Sequence, residues 1–480
     1  MTQVYIEKVN ETYIRIMCEK SIAQELSDYF TFEVPHARFT PAFKIKAWDG
    51  LIRLYNRTTQ LLYAGLLPYV QKFCKEREYE YEIDASLEPN NPPQNTEEFI
   101  KSLNIPLEVR DYQLMAFEHA IQYNRGLFLS PTSSGKSLII YLLIKYFNKK
   151  TLVIVPTTTL VHQMASDFAE YGLSDADDYI HKMYEGQEKY TDKMITISTW
   201  QSIYKRKKEF YNDYEVVIGD EAHLFKADSL VSIMTKLDNV KYRVGFTGTL
   251  DDSLTNKLVL EGLFGAVVKV ISTAEMIERK FASALKIKAI VMTHPKEDRK
   301  RLAGKAYQQE IDYLVSNTKR NKFITNLSLT LKGNSLVLFN LVEKHGEVLF
   351  NMMKEKAPDR EIYFIHGDVD GKIRDDIRKK IEDSENAIII ASYGTFSTGI
   401  NIKNLHNIVF ASPSKSRVRN LQSIGRVLRI SKTKDKAVLY DLADNLTWKK
   451  KKNHTIKHFV YRVQLYNEEK FEYKIYNMEL

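Results

Sequence analysis

The sequence predicts an α/β architecture: two tandem lobes, each built on a parallel sheet, behind a small α+β domain. Three observations predict it. From Arg110 onward, short apolar runs alternate with amphipathic segments of helical period, the texture of strands buried on both faces with helices as crossovers. That rhythm breaks off in a lysine- and arginine-rich stretch between Lys280 and Lys322 and then resumes, so it occurs twice. Finally, 480 residues are too many for one core, and a prior of about 100–200 residues per domain gives three or four units.

Residues 1–86 alternate apolar and polar positions and contain two stretches of helical period, Ser21 to Tyr29 and Leu66 to Arg77, which makes them the α+β domain. Strand-like runs flank the turn signal Asp49-Gly50, predicting a hairpin that presents Lys44, Lys46, Trp48 and Arg53 to a nucleic acid. In the opposing reading Trp48 is core and the cations only solubilise. Residues 87–98, with Pro89, Pro92 and Pro93 among asparagines, read as a linker. The first lobe follows at 99–272, with strands expected at Leu127 to Ser130, Thr151 to Val155, Met194 to Ser198, Val216 to Ile218 and Arg243 to Thr247. The second lobe, 273–453, has them at Ser335 to Asn340, Glu361 to Ile365, Ala387 to Ala391, Asn407 to Ala411 and Lys436 to Asp441. An aromatic-rich, charged extension, 454–480, is expected to pack back on the body.

Composition narrows the function classes. Hydrophobic residues make up 44% and charged residues 27%, within the globular range, and no run approaches the roughly 20 apolar residues of a membrane span. The N-terminus lacks the basic-then-apolar layout of a secretion signal, so a cytoplasmic protein is expected. Cys18 and Cys74 stand apart, which indicates neither a disulfide framework nor a zinc site. A net charge of +9 favours a polyanionic partner, and Lys205 to Lys208 and Lys449 to Lys452 are short basic runs suited to phosphates or to solvent.

Chemistry enters at Ser130-Pro131-Thr132-Ser133-Ser134-Gly135-Lys136-Ser137, which follows an expected strand and opens the apolar helix Leu138 to Tyr146. This is the setting of a phosphate-binding loop: Thr132, Ser133, Ser134 and Gly135 let backbone N–H groups curl around phosphates, Lys136 reaches the β- and γ-phosphates, and Ser137 ligates Mg²⁺. Ser130 stands where the usual pattern has glycine. A second buried strand ends in Asp220-Glu221-Ala222-His223, placing Asp220 to hold Mg²⁺ and Glu221 to orient and deprotonate an attacking water. Adjacent acids at a strand end also cap helices, but both sequences in one chain point to ATP hydrolysis.

Asp220-Glu221-Ala222-His223 resembles the DEAH form of motif II in superfamily 2 helicases, whose ATPase is shared by two RecA-like lobes. Further motifs follow in family order. Arg110-Asp111-Tyr112-Gln113 resembles the adenine-reading element, with Arg110, Gln113 and His223 implied on the nucleotide side. Val155 to Gln163, with Thr157 and Thr158, resembles motif Ia, and Ser198 to Ser202, with Thr199 and Trp200, resembles motif Ib; both motifs hold one strand by its phosphates. Phe246-Thr247-Gly248-Thr249 resembles motif III. In the second lobe, Leu336 to Asn340 and Ile365-His366-Gly367 resemble motifs IV and IVa. Ala391 to Asn401 resembles motif V, implying Thr398 and Gly399 at the nucleic acid and Asn401 near the nucleotide. Gln422-Ser423-Ile424-Gly425-Arg426-Val427-Leu428-Arg429 resembles motif VI, expected to put Gln422, Arg426 and Arg429 on successive turns of one helix face, the arginines acting on the γ-phosphate when the lobes close.

Over nearly the whole chain the sequence resembles the phage recombination and branch-migration helicases of the UvsW family. The resemblance rests on Trp48-Asp49-Gly50 with Ile52-Arg53-Leu54, on Ile154 to Thr158, on Gly394 to Ile400 followed by Lys403 to His406, on Gly425 to Arg429 and on Glu469-Lys470-Phe471. It implies ATP and Mg²⁺ as cofactors, branched DNA as partner (forks, Holliday junctions, D-loops), and a phage protein in the host cytoplasm; the sequence leaves the oligomeric state open, a monomer included. Two alternatives stay open at this stage: an RNA-remodelling DEAH ATPase on the same lobes, and an ATP-gated nucleic-acid-binding or strand-annealing protein without processive unwinding.

Overall fold

A computed structural model of the chain describes residues 3–34, 37–173, 175–184, 191–225, 227–250, 254–399, 402, 404–412, 414–430, 434 and 436–480. It forms two compact units, one of residues 1–130 and 135–270, the other of residues 131–134 and 271–480. No helix among the described residues is long and apolar enough to cross a membrane.

The N-terminal module carries β1 (Val4–Lys8), β2 (Tyr13–Cys18), β3 (Thr31–Glu33), β4 (Leu51–Arg53), β5 (Leu61–Tyr63) and β6 (Tyr81–Ile83). Four of these form a sheet in the order β5-β2-β1-β6, with β3 and β4 a separate antiparallel pair. Helices Lys20–Tyr29 and Leu67–Glu76 match the two stretches of helical period, and Ile22, Leu26, Val70 and Phe73 bury their apolar stripes against Ile6, Ile14 and Ile16 of the sheet. The expected hairpin around Asp49-Gly50 is a correction. Pro41–Lys44 is a short helix started by Pro41 behind its cap Thr40, and β4 pairs instead with β3, Phe32 opposite Ile52. Proline at the first helical position and the Thr40 cap outweigh the strand-like alternation of that segment.

The first lobe is a seven-stranded sheet in the order β13-β7-β12-β11-β8-β10-β9. Its members are β7 (Arg125–Leu129), β8 (Thr151–Val155), β9 (Ile180–Met183), β10 (Ile195–Thr199), β11 (Val216–Gly219), β12 (Tyr242–Thr247) and β13 (Val267–Lys269), all parallel. Every residue of β8, β10 and β11 is buried, as strands covered on both faces require. Residues 88–95 hold no regular element, but they are not loose: Asn90 bonds through its backbone and amide to Gln122, Ile121 and Asn124, and the helix Thr96–Ser102 starts inside the expected linker.

The second lobe's sheet, order β16-β17-β15-β18-β19-β14-β20, comprises β14 (Ala284–Thr293), β15 (Ser335–Phe339), β16 (Ile362–Ile365), β17 (Ile388–Ser392), β18 (Asn407–Phe410), β19 (Lys436–Asn445) and β20 (Tyr473–Glu479), again all parallel. Two of these strands lie outside the five expected. Strand β14 sits in the lysine-rich stretch, where Leu285, Ile287 and Ala289 point inward between half-exposed Lys286 and Lys288, so its apolar signal is halved. Strand β20, largely exposed, makes the C-terminal extension part of this sheet.

Candidate nucleotide and nucleic-acid sites

In a parallel α/β sheet the ligand side is the carboxyl edge of the strands. The loop leaving β7 there turns through Ser133, at φ +73°, and Gly135, at φ +83°, and delivers Lys136 to the first turn of the helix Lys136–Phe147. Ser134 is buried and its hydroxyl donates to the Pro131 carbonyl at 2.7 Å, closing the turn, while Thr132 stays partly accessible. Only glycine fits at 135, because a β-carbon would collide with the amide nitrogen of Gln113 as well as strain the backbone. Gln113 is itself buried, and its Oε1 accepts the Arg110 N–H at 2.9 Å. The structure thus sets the Arg110–Gln113 element against the phosphate loop.

Lys136 Nζ donates to Glu221 Oε1 at 2.7 Å, and the two side chains are only 11% and 14% exposed. Glu221 sits at φ +50°, a conformation rare for glutamate and a local strain of the kind found where a side chain must be aimed. Burial alone would raise its pKa, but Lys136 and His223 beside it hold it down at about 2. Asp220, equally buried and without that contact, is pushed up to about 7 by burial, with Lys136 opposing in part. A buried carboxylate short of positive charge, on the same edge as the Ser137 hydroxyl, fits Mg²⁺, which takes hard oxygen ligands. Ser137 Oγ meets the Tyr171 hydroxyl at 2.8 Å, a partner 34 positions away that no motif marks.

From Glu221 the contacts run on. His223 Nδ1 lies 3.5 Å from Glu221 Oε2 and 2.6 Å from Thr247 Oγ1. Thr247 already donates its hydroxyl proton to the Thr249 carbonyl at 2.7 Å, so His223 must carry hydrogen on Nδ1. Motif II and motif III are therefore joined side chain to side chain.

The loops expected at nucleic acid differ in accessibility. Thr157 caps the helix Thr158–Glu170 and Thr158 is exposed at its N-terminus, where N–H groups suit a phosphate. Thr199 is buried, its hydroxyl paired with Ser202 at 2.8 Å, and Trp200 packs on the lobe core and edge-on against Tyr204 rather than standing free. In the module Lys44 and Lys46 are exposed, Arg53 is paired with Asp49 at 2.6 Å, and Trp48 donates to the Leu51 carbonyl. Of the run Lys205 to Lys208, Lys208 bonds Asp238.

In the second unit the helix Arg417–Val427 carries motif VI, with Gln422 buried and Arg426 set 5.5 Å over the ring of Phe396 from motif V. Arg429 is a correction: the helix stops at Val427 because Ser283 takes the Leu428 and Arg429 carbonyls, so Arg429 leaves from the following turn instead of sharing the helix face. Thr398 and Gly399 end the helix Tyr393–Gly399, their side-chain surroundings undescribed, and Asn401 lies outside the described residues.

Comparison with known proteins covers the same three regions. Residues 5–84 match the family "DNA helicase UvsW, N-terminal", 106–252 the "Type III restriction enzyme, res subunit" and 318–431 the "Helicase conserved C-terminal domain". The ATP-dependent DNA helicase uvsW of Enterobacteria phage T4 is 36% identical, over 98% of both chains. Its crystal structure aligns over 99% of both chains with a TM-score of 0.53 and 34% identity. The DNA 3'-5' translocase XPB2 of Sulfurisphaera tokodaii is 26% identical over 77% of this chain and 88% of its own. A likeness that runs through the module as well as both lobes is more than a shared motor: the chain belongs to the UvsW family of superfamily 2 helicases.

Proposed function

We propose that the chain is an ATP-dependent DNA helicase that remodels branched DNA, through branch migration, fork regression and D-loop unwinding. The observation that carries this reading is the unbroken line Lys136–Glu221–His223–Thr247, which links the phosphate-binding lysine to motif III. When ATP enters, its γ-phosphate competes for the Lys136 ammonium, and Glu221 is released to align and deprotonate water. His223, already hydrogen-bonded to Thr247, registers the change in Glu221 and passes it to the loop after β12. Ser137 and Asp220 would hold Mg²⁺, which supplies charge neutralisation at the β- and γ-phosphates. Arg426 and Arg429 supply positive charge to the phosphoryl group in the transition state, and Gln422 positions it. Gln113 and Arg110 read the nucleotide, and Thr157, Thr158, Thr199, Trp200, Thr398 and Gly399 line the strand.

Branched DNA as substrate draws support from the likeness of module and lobes alike to the phage T4 helicase. ATP hydrolysis measured side by side with forked DNA, linear duplex, single strands and RNA tests it. Stimulation greatest with forked DNA is expected; stimulation by RNA alone would sink the reading.

A further inference from the structure

The run Lys449 to Lys452, which the motor motifs leave unused, is brought by the fold against a second basic segment 150 residues earlier in the chain. Strands β14 and β19 are parallel neighbours in register, Thr293 opposite Asn445, so the segments that follow them leave the sheet side by side at its carboxyl edge. One is residues 294–306, with the short helix Lys296–Leu302; the other is the turn 446–453. They touch where a β-carbon on Gly304 would stand 3.1 Å from Lys451 Nζ. Together, residues 296–305 and 449–452 hold nine lysines and arginines against two carboxylates, Glu297 and Asp298.

The lysine turn is held in shape. Trp448 and Lys451 exchange backbone hydrogen bonds across it, and Lys449 takes φ +51° at its tip. Its far end is tied down by buried Glu310, whose carboxylate accepts from the Asn453 amide, the His454 and Thr455 N–H groups and the Thr455 hydroxyl. Asn453 in turn bonds Leu446 N–H and the Asp444 carbonyl, closing the turn on itself. Among the described residues none of the four lysines has an ion pair, and all four are exposed. Four like charges on a rigid turn repel one another, a cost that is offset when a polyanion covers them.

The same sheet edge carries motif IV. Asn340 follows β15, and β19 and β14 lie two and three strands away, which at about 4.8 Å per strand puts the basic turn roughly 10–14 Å to the side. That is too far for a strand crossing motif IV and close enough for a neighbouring helical arm. We infer that the turn Lys449–Lys452, with the Lys296–Lys305 segment, is a second DNA contact that grips the phosphate backbone of a duplex arm outside the strand held by the motifs. This rests on the DNA-helicase reading above.

The test uses the full chain with all four lysines changed to Gln, and a second variant with all four changed to Arg. Affinity for a forked DNA and for a single strand is measured over a range of salt concentrations, together with ATP hydrolysis. The Gln variant should lose about tenfold or more in fork affinity, and its log–log salt slope should fall by about 3.6, since each of the four duplex phosphate contacts contributes about 0.9. Single-strand affinity and basal hydrolysis stay within about twofold, and the Arg variant binds forks as the wild type does. An unchanged fork slope, or equal loss on fork and single strand, overturns the second contact. Wild-type protein whose hydrolysis ignores all DNA overturns the functional reading instead.

Discussion

Strands β7 and β12 lie side by side in the first lobe and end in opposite polar environments. Their carboxyl ends lead to the phosphate loop and to Thr247-Gly248-Thr249; their amino ends carry Arg125 and Arg243, opposite each other in register. At the carboxyl end Lys136 is paired with Glu221, within reach of solvent. At the amino end Arg243 is wholly buried and its guanidinium donates to the carbonyls of Val240, Leu263, Met234 and Leu237 and to the Thr12 hydroxyl of the N-terminal module. Arg125 similarly reaches the Glu11 carbonyl at 2.9 Å. Tyr69 donates to buried Glu261 at 2.8 Å, and Leu258 of the lobe lies in the module's own core. An ion pair of two flexible side chains within reach of solvent can be exchanged for a phosphate. A guanidinium whose donors are filled by fixed carbonyls cannot be drawn away, so the module is fastened to the two strands that carry motifs I and III.

The largest effect is expected at the carboxyl end. Glu221→Gln removes the base while the phosphate loop stays whole, so turnover falls by about 10²–10⁴ with ATP affinity retained. Lys136→Ala loses turnover too, but with ATP affinity. Equilibrium nucleotide binding beside steady-state hydrolysis separates the two, and near-normal turnover in either would break the assignment. At the amino end the effect is on folding. Arg243→Met takes a donor from four carbonyls in an apolar interior, of which Met234 and Leu237 keep another, and losing such a buried charged hub costs about 3–5 kcal/mol. The first unit then unfolds at markedly lower denaturant, whereas Glu221→Gln leaves the midpoint near wild type. A variant at 243 that kept its stability would remove the contrast.

An intermediate effect is expected between the ends. Thr247→Val keeps the shape of the strand and removes the acceptor for His223. Basal hydrolysis should hold, while the DNA-stimulated rate falls about fivefold, the equivalent of one net hydrogen bond of roughly 1 kcal/mol. Loss of both rates in proportion would place His223 in the chemistry rather than in its coupling to DNA.

What was legible in the sequence follows the same division. Lys136, Asp220 and Glu221 stand in short contiguous patterns because a phosphate loop and a strand-end carboxylate pair are local devices. Nine of the ten strands read from apolar runs are buried along most of their length; the edge strand β16 is the exception. Strand β14 escaped because half its residues face outward, and the hairpin at Asp49-Gly50 was misread because a Thr40-Pro41 helix start overrides alternation. The Arg243–Thr12 staple left no local trace: its partners are 231 positions apart, and a lone arginine entering an apolar strand reads as a surface charge. Arg429 was placed on the helix because the motif's spacing is helical, whereas Ser283, distant in sequence, ends that helix two residues earlier.

The smallest effect tests whether the module rides with the lobe. Removing residues 1–86 cannot decide this, because it also takes away Glu11 and Thr12 and leaves Arg125 and Arg243 partly unsatisfied. Thr12→Val is milder: valine fills the volume, and the loss is the hydroxyl that accepts from Arg243 at 2.9 Å and donates to the Met234 carbonyl at 3.1 Å. A cost of about 1–2 kcal/mol follows, too little to unfold the unit but enough to raise local opening of the 10–13 turn some five- to thirtyfold. Hydrogen exchange should show faster exchange at Glu11 N–H, which donates to the Asp238 carbonyl, with Lys136 and Glu221 undisturbed and basal hydrolysis unchanged. If fork-stimulated hydrolysis then drops while single-strand stimulation holds, the rigid joint itself matters for branched substrates. If exchange at Glu11 does not change, the module is held mainly by its apolar contacts with Leu258 and Gly262, and Arg243 serves the lobe alone.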